Sequence, residues 1–193
     1  MPNKLDLEAF EFKKVGQKEW ELPSGVFSVT VMHSKIPGRR VLMGIGVDPG
    51  RNFGIATLDG REVWLLQGAL PKEPAKEKWR YGVSAYELMK RKELHYGQGI
   101  AIVEGAAFKE PFGQSDLAHI RMGFVLGLYA AGFNVAIKAP ATIRAGALGS
   151  GKLGGLEVWP ELDHNAADAL SIALYAAGLR KGEQEHSLLT QGG

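Results

Sequence analysis

The sequence predicts a mixed α/β sheet with helices on both faces. Three observations point there. VLMGIGVD, NFGIATLDG and REVWLLQGAL are strand-like runs joined by tight turns, Asp-Pro-Gly after the first and Asp59-Gly60 after the second. That is the pattern of an antiparallel meander. Helix-like and strand-like segments alternate after it, which adds parallel strands to the sheet. The last segment, HNAADALSIALYAAG, is apolar on nearly every side, so it belongs against the sheet as a buried helix.

The elements follow in order. Residues 1–40 form a β-rich extension in which FEFKKV and KEWEL flank Gly16-Gln17. In VFSVTVM, Phe27, Val29 and Val31 alternate with Val26, Ser28 and Thr30, the period of a half-buried strand. Pro37-Gly38 breaks the chain before the meander. Within residues 71–97, Trp79, Val83, Tyr86 and Leu88 or Met89 fall near helical spacing. GIAIVEGAAF is a short buried strand ending at Glu104. SDLAHIRMGFVLGLYAAG is a helix from a Ser cap to Gly132 at C′. NVAIKAP is a strand, and ATIRAGALGSGKLGGLEVWPEL is a loop leading to the last helix. The domain proper is thus 41–180, with a polar tail at 181–193.

Composition narrows the function classes. A chain of 193 residues, 45% hydrophobic and 23% charged, suits one globular domain. Cysteine is absent, which excludes disulfides, thiolate catalysis and Cys-based metal sites. No apolar run is long enough for a membrane span, and MPNKLDLEAFEF lacks the apolar stretch of a signal peptide. Net charge is only +2, but its distribution is uneven. Leu22–Val47 and Leu117–Leu156 contain no acid, and the second segment carries Arg121, Lys138, Arg144 and Lys152. Such segments can form a basic surface beside an acidic pocket.

Asp48 and Glu104 have the same setting. Each follows an apolar run, so each lies at the C-terminal end of a core strand, on the rim where α/β sites gather. Asp168 is a third acid, placed among alanines early in the buried last helix. Carboxylates brought together repel, and a hard divalent cation relieves that repulsion. An Asp in the first turn could instead serve only the helix dipole.

IGVDPGRNFGIATLD, IAIVEGAAF and HNAADALSIAL together resemble the RuvC-type Holliday-junction resolvases of the ribonuclease-H-like superfamily, over roughly residues 41–178. The resemblance implies a ribonuclease-H-like sheet and a metal-dependent structure-selective DNA endonuclease. It implies two Mg²⁺ ions per site, replaceable by Mn²⁺, held by Asp48, Glu104 and Asp168. It also implies a homodimer that acts on branched DNA, a four-way junction, in the cytoplasm of a bacterial or phage-infected cell.

The chain departs from the family at the fourth ligand, where a second Asp is usual three or four residues before the last. Those positions hold Asn165 and His164, which share a helix face with Asp168. His164 is the better replacement, as metal ligand or proton carrier. Asn165 is a reserve, and Asp163 is the N-cap. The helical segment usual before the last helix is also shortened here to GGLEVWPEL, and residues 1–40 have no counterpart.

GALGSGK fits a phosphate-binding loop formally, but Leu153 stands where Ser or Thr is needed, and that excludes nucleotide binding there. On the resemblance, Arg144 and Lys152 contact DNA phosphates. In the loop after Glu104, Phe108 and Phe112 flank Lys109, and each ring could stack on an unpaired base at a junction centre or fold back into the core. Gly123 and Gly127 lie on one side of their helix, open to a dimer contact or to the helix's own sheet. Two other readings stay open: a ribonuclease-H-like nuclease for RNA–DNA hybrids or other branched DNA, and a non-catalytic binder of branched DNA.

Overall fold

A computed structural model describes residues 10–22, 25–36, 40–74, 76–90, 99–105 and 115–179. The strands are β1 (Lys13–Leu22), β2 (Gly25–Lys35), β3 (Val41–Asp48), β4 (Asn52–Gly60), β5 (Glu62–Ala69), β6 (Ile100–Glu104) and β7 (Asn134–Lys138). The helices are α1 (Arg80–Met89), α2 (Ser115–Ala130), α3 (Pro140–Leu148) and α4 (His164–Ala176), with a 3₁₀ turn at Gly155–Glu157. All seven strands form one sheet in the order β1-β2-β5-β4-β3-β6-β7. β3, β4 and β5 are an antiparallel meander, and β6 and β7 join parallel to β3. This is the ribonuclease-H-like sheet that the sequence predicts, with β1 and β2 continuing it past β5.

Side-chain alternation sorts the strands onto two faces. Val29, Leu66, Phe53, Ile55, Val47 and Val103 point to the face covered by α1 and α2, with Leu88, Phe124 and Leu128. Leu65, Ala56 and Leu58 point to the other face, beneath α4 and α3. Fully burying an aliphatic or aromatic side chain contributes about 1.5–3 kcal/mol, so these two layers hold the sheet in place.

Close contact between α4 and the sheet positions the site. A Cβ on Gly46 would lie 2.2 Å from the Ala173 backbone nitrogen, and one on Gly54 would lie 2.0 Å from the Asn165 carbonyl oxygen. Opposite these glycines α4 offers Ala166, Ala169, Ala173 and Ala176, all buried. Glycine facing alanine lets the helix backbone rest almost on the strands. A Cβ on Gly155 would likewise strike the backbone of Ala167, so the 3₁₀ turn presses on α4 from outside.

Four local expectations need correction. FEFKKV and KEWEL do not form two strands about Gly16. The segment is one strand, with an irregularity between Lys14 and Gly16, after which pairing with β2 continues from Gly16↔Val31. Among the described residues of 71–97 the helix is Arg80–Met89, which buries Tyr81, Ser84, Ala85, Leu88 and Met89; Leu88 and Met89 of the expected spacing thus face the core, whereas Trp79 is 53% exposed. Residues 91–98 lie outside the described residues.

The third correction concerns the loop before α4, which contains a helix. Pro140 opens α3 at a position that needs no N–H, and Gly149 closes it at φ 80°. Ile143, Ala147 and Leu148 form its buried face. The formal phosphate-binding motif therefore ends a helix instead of starting one. Fourth, Gly123 and Gly127 face α1 rather than the sheet. A Cβ there would strike Gly82, and Met89 with Tyr86, so the glycines seat α1 on α2.

Candidate active site

Register brings two of the acids together. Asp48 pairs with Gly54 on one side, and on the other Val47 pairs with Val103, so Glu104 lies on the strand next to Asp48. Gly54 has no side chain, and α4 enters above it. Asp163 caps that helix by accepting from the Asn165 backbone N–H at 2.9 Å, as expected of an N-cap. One turn on, Asp168 is carried down to the sheet rim and is only 5% exposed. His164 sits four residues before it, with Nδ1 3.5 Å from Asp168 Oδ2 and a largely exposed ring. Ligand atoms of Asp48, His164 and Asp168 all lie within 4.8 Å of one another.

Packing negative charge into a half-buried rim changes proton affinity. Asp48 is pushed up to about 7, first by burial and then by the charges of Asp168 and Asp163, with Arg144 opposing. Glu104 is also pushed up to about 7, by burial and then by Asp48 and Asp168, against Arg144 and Arg121. Asp168 accepts from the Gly155 backbone N–H at 3.3 Å and faces Arg144 Nη2 at 3.7 Å. Arg121 Nε donates to the Glu104 carbonyl oxygen at 2.9 Å.

The cluster fits a divalent cation. Its donors are hard carboxylate oxygens and one imidazole, and burial, with the negative charge of neighbouring acids, makes Asp48 and Glu104 hold their protons unusually tightly. Arg144 offsets that charge only from one side.

Of the residues singled out from the sequence, Asp48, His164 and Asp168 converge, and Glu104 stands on the next strand, where the charges of Asp48 and Asp168 act on it. Asn165 does not join them: its Nδ2 donates to Asp163 Oδ1 at 3.2 Å. Arg144 lies on α3 instead of on a loop, with its guanidinium beside Asp168. Lys152 is exposed on the glycine-rich turn, where its backbone N–H donates to Ser150 Oγ. Phe108, Lys109 and Phe112 fall outside the described residues. The sequence reading gave no site role to Arg121 or Gly155. Arg121 had a signal, the acid-free run from Leu117, whereas Gly155 had none.

Fold and cluster together define a ribonuclease-H-like α/β protein with an acidic rim site. Among solved structures, the chain is similar to RuvC of Thermus thermophilus, at 21% identity and a TM-score of 0.47, over 69% of this chain and 92% of that one. It is similar also to T. thermophilus RuvC in complex with a Holliday junction substrate, at 21% identity and a TM-score of 0.48, over 71% and 93%. No protein-family profile matches, and neither does any curated protein. Among the described residues no helix is long and apolar enough to cross a membrane.

Proposed function

We propose that this protein is a metal-dependent endonuclease for structured DNA, with the four-way junction as its main substrate. The observation that carries this reading is the convergence of Asp48, Asp168 and His164 from a strand end and a helix start, with Glu104 electrostatically coupled to both acids. Asp48, Glu104 and Asp168 would hold Mg²⁺, two ions per site, with Mn²⁺ as a substitute, and His164 stands beside them to move a proton. Bound cations supply Lewis-acid stabilisation of the reacting phosphate and lower the pKa of water.

The chain's own groups do the rest. Burial and neighbouring acids keep Asp48 and Glu104 poised to release protons when positive charge arrives. The His164 Nδ1 faces Asp168, which leaves Nε2 to take a proton from the attacking water. Arg144, Arg121 and the neighbouring Lys138 form a basic flank that draws a phosphate backbone toward the acids. Lys152, Phe108, Lys109 and Phe112 extend the DNA contact. Residues 41–180 are the nuclease unit, 1–40 an extension of its sheet and 181–193 a tail. Two copies of the chain cut two strands in paired nicks.

Incubation of the purified protein with a four-way junction, a flap, a duplex and an RNA–DNA hybrid, in Mg²⁺ and in Mn²⁺, tests this reading. The junction should be cut fastest, and Asp48→Asn should bind it without cutting. Preferred cutting of the hybrid would move the assignment to another ribonuclease-H-like nuclease. Binding without cleavage in either metal would make the protein a junction-binding factor.

A further inference from the structure

The row of residues that holds the acids continues across the sheet. Asp48 pairs with Gly54, Gly54 with Gln67, Gln67 with Thr30, and Thr30 with Gln17. Paired residues point to the same face, so the row that carries Asp48 carries two amides and a hydroxyl beyond it. The next row along pairs Asn52 with Ala69, and Ser28 lies beside it on β2. One step the other way, Ala56, Leu65 and Met32 are apolar and lie beneath α4. The face therefore changes from apolar to uncharged polar where α4 begins.

This polar stretch is hollow. Gln17, Ser28, Thr30, Asn52 and Gln67 line a cleft of about 240 Å³ that ends against Asp163 and Asn165 at the start of α4. Among the described residues no Lys or Arg lines it, so it does not suit a phosphate. Its one aromatic, Phe53, is fully buried and offers no stacking face. Recognition here must run through hydrogen bonds. Gln67 Oε1 is buried and meets no donor among the described residues. Leaving an acceptor unpaired costs roughly 1–3 kcal/mol, which a donor reaching it from the cleft would recover. At about 4.8 Å per strand, Gln67 lies roughly 10 Å from Asp48, within a nucleotide or two along a bound strand.

We infer that this cleft takes an unpaired nucleobase next to the cutting site and selects one carrying an exocyclic amine, adenine or cytosine, through Gln67, Thr30 and Asn52. This rests on the nuclease reading above for the bound strand, but its test does not need cleavage. Strands β1 and β2 acquire a purpose from it: they build the outer wall of the base pocket.

The test is binding of labelled ten-nucleotide dC, dA and dT strands to the full chain in EDTA, by fluorescence anisotropy. Cytosine and thymine differ at C4, amine against carbonyl, and thymine adds a C5 methyl, so a dU strand, with thymine's edge and no methyl, separates the hydrogen bond from size. Wild type should bind dC and dA about fivefold or more tightly than dT. Gln67→Met, nearly the same shape, should reduce that ratio below about twofold, and Thr30→Val should reduce it in part. Equal affinity of wild type for all three strands, or a ratio unchanged in Gln67→Met, would overturn the pocket. A wild-type protein that discriminates bases but cuts no substrate in Mg²⁺ or Mn²⁺ would overturn the nuclease reading and leave the pocket standing.

Discussion

The two halves of the α4 face make an instructive contrast. At the β3–β6 half, a helix rests directly on glycines and drives three carboxylates together in a half-buried rim. At the β1–β2–β5 half, no helix among the described residues covers the polar row, and the same register line carries amides and hydroxyls around a cleft. The strand geometry is shared, and the difference is the helix. Where α4 covers the row, water is displaced and charge becomes chemically potent. Where it does not, the row lies open in a cleft and is suited to recognition.

The largest expected effect tests the glycine seat. Gly46→Val should cost about 4 kcal/mol or more, or prevent folding, because its Cβ would meet backbone that cannot yield. Thr30→Val, on the open half, should change stability by less than about 0.5 kcal/mol. Urea titration of both variants measures the contrast directly. Equal tolerance at the two positions would mean that α4 does not press on the sheet as described.

Next comes the chemistry of the covered half. Asp48→Asn should lower junction cleavage by about 10³-fold or more, close to 4 kcal/mol of barrier, with Kd for the junction nearly unchanged. Single-turnover assays with a parallel binding titration separate the two. Arg144→Ala is the sharper variant. If Arg144 serves the acids as well as DNA, its loss should move the pH dependence of cleavage as well as weaken binding.

A third experiment uses pH. Asp48 and Glu104 ordinarily titrate near 3.8 and 4.5, and both are pushed up to about 7 in the folded protein. Between those values the folded state holds protons that the unfolded chain has released. Stability without metal should therefore be fullest below the ordinary carboxylate range and fall as pH rises to about 7, by several kcal/mol at most. Mg²⁺ should restore it at pH 8, since a cation favours the ionised carboxylates. Urea midpoints in EDTA at pH 5 and 8, then with Mg²⁺, check the sign. Asp48→Asn should flatten the slope.

The smallest effect falls on the boundary between the halves. Asp163→Ala removes the cap of α4 and should cost about 1 kcal/mol. It also frees Asn165, so the base preference of the cleft should shift with little change in the shape of the acid cluster. Differential scanning calorimetry and the same strand-binding series measure both.

Much of this was legible in the chain. Asp48 and Glu104 each end an apolar run, and the meander turns are written as Asp-Pro-Gly and Asp-Gly, so their rim position follows from strand patterning alone. Asp163 as cap and His164 on the Asp168 face follow from helix periodicity. Arg144 beside Asp168 did not follow, because α3 is short and glycine-bearing and its helical pattern is weak over nine residues. The seat of α1 on Gly123 and Gly127 was also hidden, since small residues at that spacing admit any close neighbour.

Local sequence thus determined which segments are strands and helices and where the acids fall on each. Those choices depend on turn chemistry and on periods of two and 3.6, both written within a few residues. Tertiary structure decided what stands beside what: Gln67 in line with Asp48, Arg144 over Asp168, α4 upon Gly46 and Gly54. Cross-strand register and helix depth arise from the summed packing of residues far apart in the chain, and no single stretch of sequence contains that sum.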